Sequence, residues 1–286
     1  MYGSSPLLRR LALGLPTILG LAKRGYFIPY RYAAGIPARA ERAAFPFIED
    51  LFRARERDFL DLLDVPDDLI LSLADRFNWP APPSPRWQQV WFPRLDALAA
   101  YLLVRRHRPR RIVEIGSGHS TRFAAAAIRD DGLETEIRAV DPDPRADLEH
   151  LKCVSFHRMP LQDVPLSEFE DLAPGDFLMI DSSHIAMPGS DVDILLGRIV
   201  PALPPGVFIQ IHDMFLPDPY PENWTWRGYN EQLPVATLIA GGAVEPVWSS
   251  RWVATRHPTV VETGPIAKIP IWEDVPETSL WLRKIR

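Results

Sequence analysis

Apolar positions in the first third of the chain recur every three to four residues. Between 41 and 78, Phe45, Phe47, Ile48, Leu51 and Phe52, then Phe59, Leu60, Leu62 and Leu63, are interleaved with acidic positions. That spacing predicts short helices with one buried face. Residues 64–66 break the pattern at a proline, and 67–77 resume it, so this part reads as a small helical subdomain. WPAPPSP at 79–85 is a proline-rich joint, and 92–106 is a further amphipathic helix with Leu95, Leu98, Ala99, Leu102 and Leu103 on one stripe.

Beyond it the pattern changes to short β-branched or apolar runs alternating with helical ones. Strands are predicted at 110–116, 136–143, 153–159, 176–181, 207–213, 245–251 and 279–285. Helices are predicted at 119–132, 146–151, 192–203 and 231–240. Strands alternating with helices imply a doubly wound α/β fold, a mostly parallel sheet covered on both faces. The expected division is an N-terminal helical extension, 1–84, and a ligand-binding domain, 85–286.

Composition narrows the function. The 286 residues are 47% hydrophobic and 24% charged, with net charge −5, which is globular and not disordered. A mildly acidic chain argues against nucleic acid as a partner, since phosphates need a basic surface. The single cysteine, Cys153, excludes a disulfide framework and a cysteine-based zinc cluster, and its place in LKCVSF reads as strand core. No apolar run reaches the roughly 18–20 residues of a spanning helix. Residues 1–40 stand apart: Arg9, Arg10, Lys23, Arg24, Arg31 and Arg39 are basic, with no acid among them, around LALGLPTILGLA. The segment reads either as an interfacial membrane element or as a helix or loop packed on the protein's own body. The second is the expectation, because apolar segments of this length are more often buried core. Pro16, Gly20 and the lack of a small-x-small cleavage site set it apart from a secretory leader.

Chemistry concentrates where predicted strands end. VEIGSGHST at 113–121 is a strand, a turn of small residues and a helix start. Gly116 and Gly118 let backbone approach a ligand, and the helix N-terminus offers free N–H groups. The next strand ends at Asp141, an acid suited to ribose hydroxyls. Glu114, two residues before the first glycine, would repel a pyrophosphate but tolerates a cofactor carrying a sulfonium and an ammonium group. S-adenosylmethionine is therefore favoured over NAD.

These segments, with AVDPDP, FLMIDSSH, FIQIHDMF and YNEQ, resemble class I S-adenosylmethionine-dependent methyltransferases, in particular the branch of sugar and small-molecule O-methyltransferases. The resemblance covers roughly residues 87–286. It implies a Rossmann-like, seven-stranded sheet, a cytoplasmic enzyme, and cofactor contacts by Glu114, Gly116, Ser117, Gly118, Ser120 and Asp141. It also implies an adenine-reading position after the third strand, to which Gln162 and Asp163 correspond.

Two further strands end in carboxylates, Asp181 and Asp213. Neighbouring strands would set them side by side at the sheet's carboxyl edge, as a seat for Mg²⁺ or another divalent cation. His184 follows Asp181 by three residues, and an imidazole is a natural acceptor of a hydroxyl proton. Asp181-Ser-Ser-His184 matches the Asp-x-x-His of macrolide-sugar methyltransferases, where the Asp holds metal and the His is the base. His212-Asp213 stands where the catechol-type site has Asp-Asn, which leaves His212 open between ligand, second base and support. Asp191 and Asp193 read as helix-start acids. The loop with Tyr220, Trp224, Trp226 and Tyr229 reads either as a lid over a sugar or other flat acceptor, or as packing over the N-terminal subdomain. The expected activity is methyl transfer to a hydroxyl of a small molecule or sugar. The alternatives are transfer to nitrogen and a cofactor-fold scaffold without catalysis.

Overall fold

The computed structural model describes residues 6–37 and 41–286. Residues 1–5 and 38–40, Arg39 of the basic stretch among them, lie outside the described residues. Two compact units are present. One comprises Met1–Ala43 with Pro219–Tyr229, the other Ala44–Asp218 with Asn230–Arg286.

The larger unit is built on a seven-stranded sheet in the order β3-β2-β1-β4-β5-β7-β6. Its strands are β1 (Arg111–Ile115), β2 (Glu136–Val140), β3 (Val154–His157), β4 (Phe177–Ile180), β5 (Phe208–Ile211), β6 (Val244–Ser249) and β7 (Leu280–Lys284). β1 to β5 pair in parallel, and β7 runs antiparallel between β5 and β6. This is the doubly wound, Rossmann-like sheet expected. β4 and β5 are buried at every position, as strands covered on both faces must be: β4 is an unbroken apolar run, and the one polar residue of β5, Gln210, donates to Ser279 Oγ at 2.8 Å.

Numbering α1 as the N-terminal helix Pro6–Ile18, the helices of the larger unit begin with α2 (Pro46–Ala54), α3 (Glu56–Leu62) and α4 (Asp67–Arg76). Their apolar stripes, Ile48, Phe52, Phe59, Leu62, Ile70 and Leu73, belong to the same core as the sheet. Phe52 packs edge-on against both Phe59 and Trp252. α5 (Arg94–His107) is buried along almost its whole length and α6 (His119–Asp130) buries a run of alanines, small side chains that let helix and sheet approach closely. α7 (Asp191–Ile194) runs on through a π-helical stretch, Leu195–Ile199, into α8 (Val200–Ala202). α9 (Gln232–Ala240), α10 (Ser250–Arg256) and α11 (Pro258–Glu262) complete the set.

Two expectations are corrected. Residues 146–151 form a turn instead of a helix. There Asp147 caps the Glu149 N–H, and its carbonyl accepts two bonds from the Arg122 guanidinium, so local side-chain bonds replace a helical ladder. The N-terminal apolar segment is not core: α1 is helical, and Leu7, Leu11, Leu15 and Ile18 along it are exposed. No helix among the described residues is long and apolar enough to cross a membrane.

Candidate active site

β1 ends in a turn that only glycine can make. Gly116 has φ +78, and a Cβ there would lie 2.0 Å from the backbone oxygen of Asp181. β1 and β4 are locked together at this point, because the Asp181 N–H donates to the Ile115 carbonyl at 2.8 Å. The turn leads directly into α6. Under its first turn Glu114 is buried and accepts from Ser120 Oγ and Thr121 Oγ1, both at 2.5 Å. Burial pushes this carboxyl up to about 7, against the pull of those two hydroxyls. Glu114 and Ser120 thus hold the loop's shape from behind.

Asp141 reaches across from the end of β2. One carboxylate oxygen accepts the Ser117 N–H at 2.6 Å and the other the Asp143 N–H at 2.7 Å. Each oxygen keeps a lone pair for a further donor. Ser117 Oγ is buried beside it without a hydrogen-bond partner. A buried orphan hydroxyl costs about 1–3 kcal/mol, and together with the glycine cradle it makes this loop fit a polar ligand of the kind expected. Gln162 and Asp163 sit in the turn Leu161–Asp163 after β3, exposed, with Gln162 Nε2 bonded to the Gly189 carbonyl at 3.4 Å.

The second cluster lies where β4 and β5 end. Their register pairs Ile180 with Ile211, so Asp181 comes next to His212 before it comes next to Asp213. His184 Nε2 stands 3.3 Å from Asp181 Oδ1 and 3.4 Å from Asp213 Oδ2. His212 Nδ1 stands 3.6 Å and 3.5 Å from the same two carboxylates. The structure therefore brings Asp181, His184, His212 and Asp213 together. His184 and Asp213 both have left-handed backbones, φ 60 and φ 56, an uncommon state for such residues that gathers at working sites.

Each imidazole is fixed from behind by a carboxylate that the sequence reading missed. Glu231, fully buried before α9, bonds His184 Nδ1 at 2.8 Å and accepts from Ser182 Oγ. Asp96, fully buried in α5, lies 3.2 Å from His212 Nε2 and accepts the Thr278 and Ser279 N–H groups. Burial by itself lowers both imidazoles, but hydrogen bonds and charge from Asp181, Glu231 and Asp213 hold His184 well above its usual value. Asp213, Asp181 and Asp96 do the same for His212. Conversely, burial would raise Asp181, and the bonds from the two imidazoles outweigh it and hold it well below the carboxylate range.

This donor set does not fit a divalent cation as it stands. Among the described residues, no group of three or more His, Cys, Asp or Glu side chains is placed to hold a metal ion. Asp181 and Asp213, expected as metal ligands, face the two imidazoles, His184 through Nε2 and His212 through Nδ1. Asp191 and Asp193 are structural, as expected. Asp191 ties down Ser183, and Asp193 accepts the Gly189 N–H. The aromatic loop lies in the unit that contains the N-terminal segment. Within it Arg227 stacks 3.8 Å over Trp224, and Trp224 meets Tyr229 edge-on. A cleft of about 220 Å³, lined among others by His107, Phe208 and Glu245, shares no residue with either cluster.

Residues 113–214, the stretch holding both clusters, match a family described as a methyltransferase domain. An uncharacterized protein of Archaeoglobus fulgidus is 34% identical over 120 residues, 37% of this chain and 52% of that protein. The chain thus matches about half the length of that curated relative. Among solved structures, the S-adenosylhomocysteine-bound methyltransferase PaMTH1 of Podospora anserina is 16% identical, covering 92% of this chain and all of that one, with TM-score 0.43. The O-methyltransferase TomG of Streptomyces achromogenes, in complex with S-adenosylmethionine, is 16% identical over 84% of this chain and 99% of its own, with TM-score 0.42.

Proposed function

We propose that this chain, which carries a methyltransferase domain over residues 113–214, transfers a methyl group from S-adenosylmethionine to a hydroxyl of a small molecule or sugar. The observation that carries the reading is the convergence of Asp181, His184, His212 and Asp213 beside the glycine loop. A scaffold without catalysis has no use for two imidazoles each braced by a buried carboxylate.

Gly116, Ser117, Gly118 and Asp141 would hold the cofactor, with Glu114 and Ser120 shaping the loop and Gln162 and Asp163 at its adenine side. When bound, S-adenosylmethionine supplies an electrophilic methyl on a sulfonium. The chain's task is to make an alcohol nucleophilic. His184 Nε2, which lies 3.3 Å from Asp181 Oδ1 and 3.4 Å from Asp213 Oδ2, takes the hydroxyl proton when the ring is in its neutral form. Glu231 fixes the ring's orientation through Nδ1 and stabilises the imidazolium that results. Asp181 and Asp213 orient the acceptor and balance that charge. His212, braced by Asp96, holds Asp181 in its ionised form. Every residue given a role lies after residue 84, which supports 85–286 as the region that carries the chemistry, while α2 to α4 within 1–84 share its core.

Calorimetric titration with S-adenosylmethionine tests the cofactor half. Wild type should bind, and Asp141→Ala should bind more weakly by about 1–3 kcal/mol; unchanged affinity in the variant would defeat the assignment. For the chemical half, turnover should survive thorough chelation. Loss of activity with a chelator and recovery with Mg²⁺ would turn Asp181 and Asp213 into metal ligands.

A further inference from the structure

The N-terminal helix shows a face that neither cofactor binding nor catalysis uses. Leu7, Leu11, Leu15 and Ile18 recur along one side of α1 and are 65%, 45%, 51% and 60% exposed. At about 100° per residue, Leu8, 58% exposed, widens this face on one flank, Arg10 and Thr17 lie on the other flank, and Leu13, 47% exposed, stands opposite. The chain beyond α1 continues in the same character: Lys23 and Arg24 are exposed, followed by exposed Phe27, Ile28, Tyr30 and Tyr32.

We infer that residues 6–32 form a docking surface for an anionic lipid bilayer, with α1 lying in the plane of the interface. Three observations select this occupant. At 13 residues, α1 spans about 20 Å, too short for a hydrocarbon core of about 30 Å, so the helix lies on the membrane instead of crossing it. Aromatic side chains after it suit the headgroup zone, where a ring's apolar body and polar tip are both satisfied. Charge is also separated: residues 1–40 contain Lys and Arg but no Asp or Glu, while the whole chain is −5. The basic segment is drawn to anionic headgroups and the acidic remainder is repelled from them. A second copy of this chain would present the same basic segment and repel it.

The test is sedimentation of the full-length protein with vesicles of phosphatidylcholine alone and of phosphatidylcholine mixed with phosphatidylserine. Binding to the mixed vesicles is expected, weaker on phosphatidylcholine alone and weakened by salt. Leu11→Glu with Leu15→Glu should abolish it. Lys23→Gln with Arg24→Gln should weaken it about 25-fold, at roughly fivefold per charge. Circular dichroism and the urea midpoint should match wild type in both variants, because these side chains are exposed. No sedimentation with the mixed vesicles, or equal binding to both kinds, would overturn the inference. So would self-association, seen by ultracentrifugation, that the Leu11→Glu, Leu15→Glu variant removes while wild type ignores vesicles.

Discussion

Single side chains divide sharply here between those that touch the chemistry and those that brace it. His184 is the proposed base, and its Nε2 faces the carboxylates while Nδ1 is committed to Glu231. His184→Ala should lower kcat by about 10²–10⁴, with S-adenosylmethionine affinity near normal, because a base is not a cofactor contact; steady-state rates and calorimetry on the same preparation check both. The pH dependence follows from the raised pKa of His184. Only the neutral ring accepts a proton, so activity should be low at pH 6.5 and climb as pH rises past it. Glu231→Gln removes one of the charges that raise this pKa. Its acid limb should therefore move to lower pH while kcat falls through poorer orientation; a limb that stays in place would make Glu231 a packing residue only. Neither Glu231 nor Asp96 stood out in the sequence as partners. Asp96 sits in the first turn of α5, where an acid reads as a helix-start charge, and only folding brings it against His212.

At the scale of elements, the turn between β1 and α6 is the point on which both clusters depend. Gly116 permits the Asp181 backbone to lie against it, and the same turn presents the Ser117 N–H to Asp141. Gly116→Ala adds a Cβ with no space and a left-handed φ. Destabilisation of at least about 2 kcal/mol is expected, read as a lower urea midpoint together with loss of cofactor binding. The strands around this turn were legible because β-branched runs ending at Gly116, Asp141, Asp181 and Asp213 are short and sharply bounded. The stretch at 146–151 was not. Its apolar spacing allows a helix, and what decides against one is the grip of Arg122 on the Asp147 carbonyl, a contact between segments.

Across the whole molecule, two buried groups near the glycine loop give opposing responses to pH. The Glu114 carboxyl is raised from 4.5 to about 7. As pH climbs through that window the unfolded chain gives up its proton first, and stability falls by about 3 kcal/mol. His119, stacked on Trp91, is lowered from 6.5 to about 4 by burial and by Arg122 and Arg86. It contributes the reverse, stability lost as pH falls through 6.5 towards 4. The two nearly cancel in the wild type. Glu114→Gln should uncouple them: between pH 4.5 and 7 its stability should gain about 3 kcal/mol relative to wild type, measurable by urea unfolding at several pH values. What the sequence by itself determined is the alternation of strand and helix, the glycine loop, the acids at the strand ends and the basic, apolar N-terminus, because each is written in local spacing and composition. What only the tertiary structure decided is which side chains meet. The exposure of α1, the braces Asp96 and Glu231, and the meeting of Asp181 and Asp213 with two imidazoles all depend on distances between residues far apart in the chain, and no local pattern encodes those.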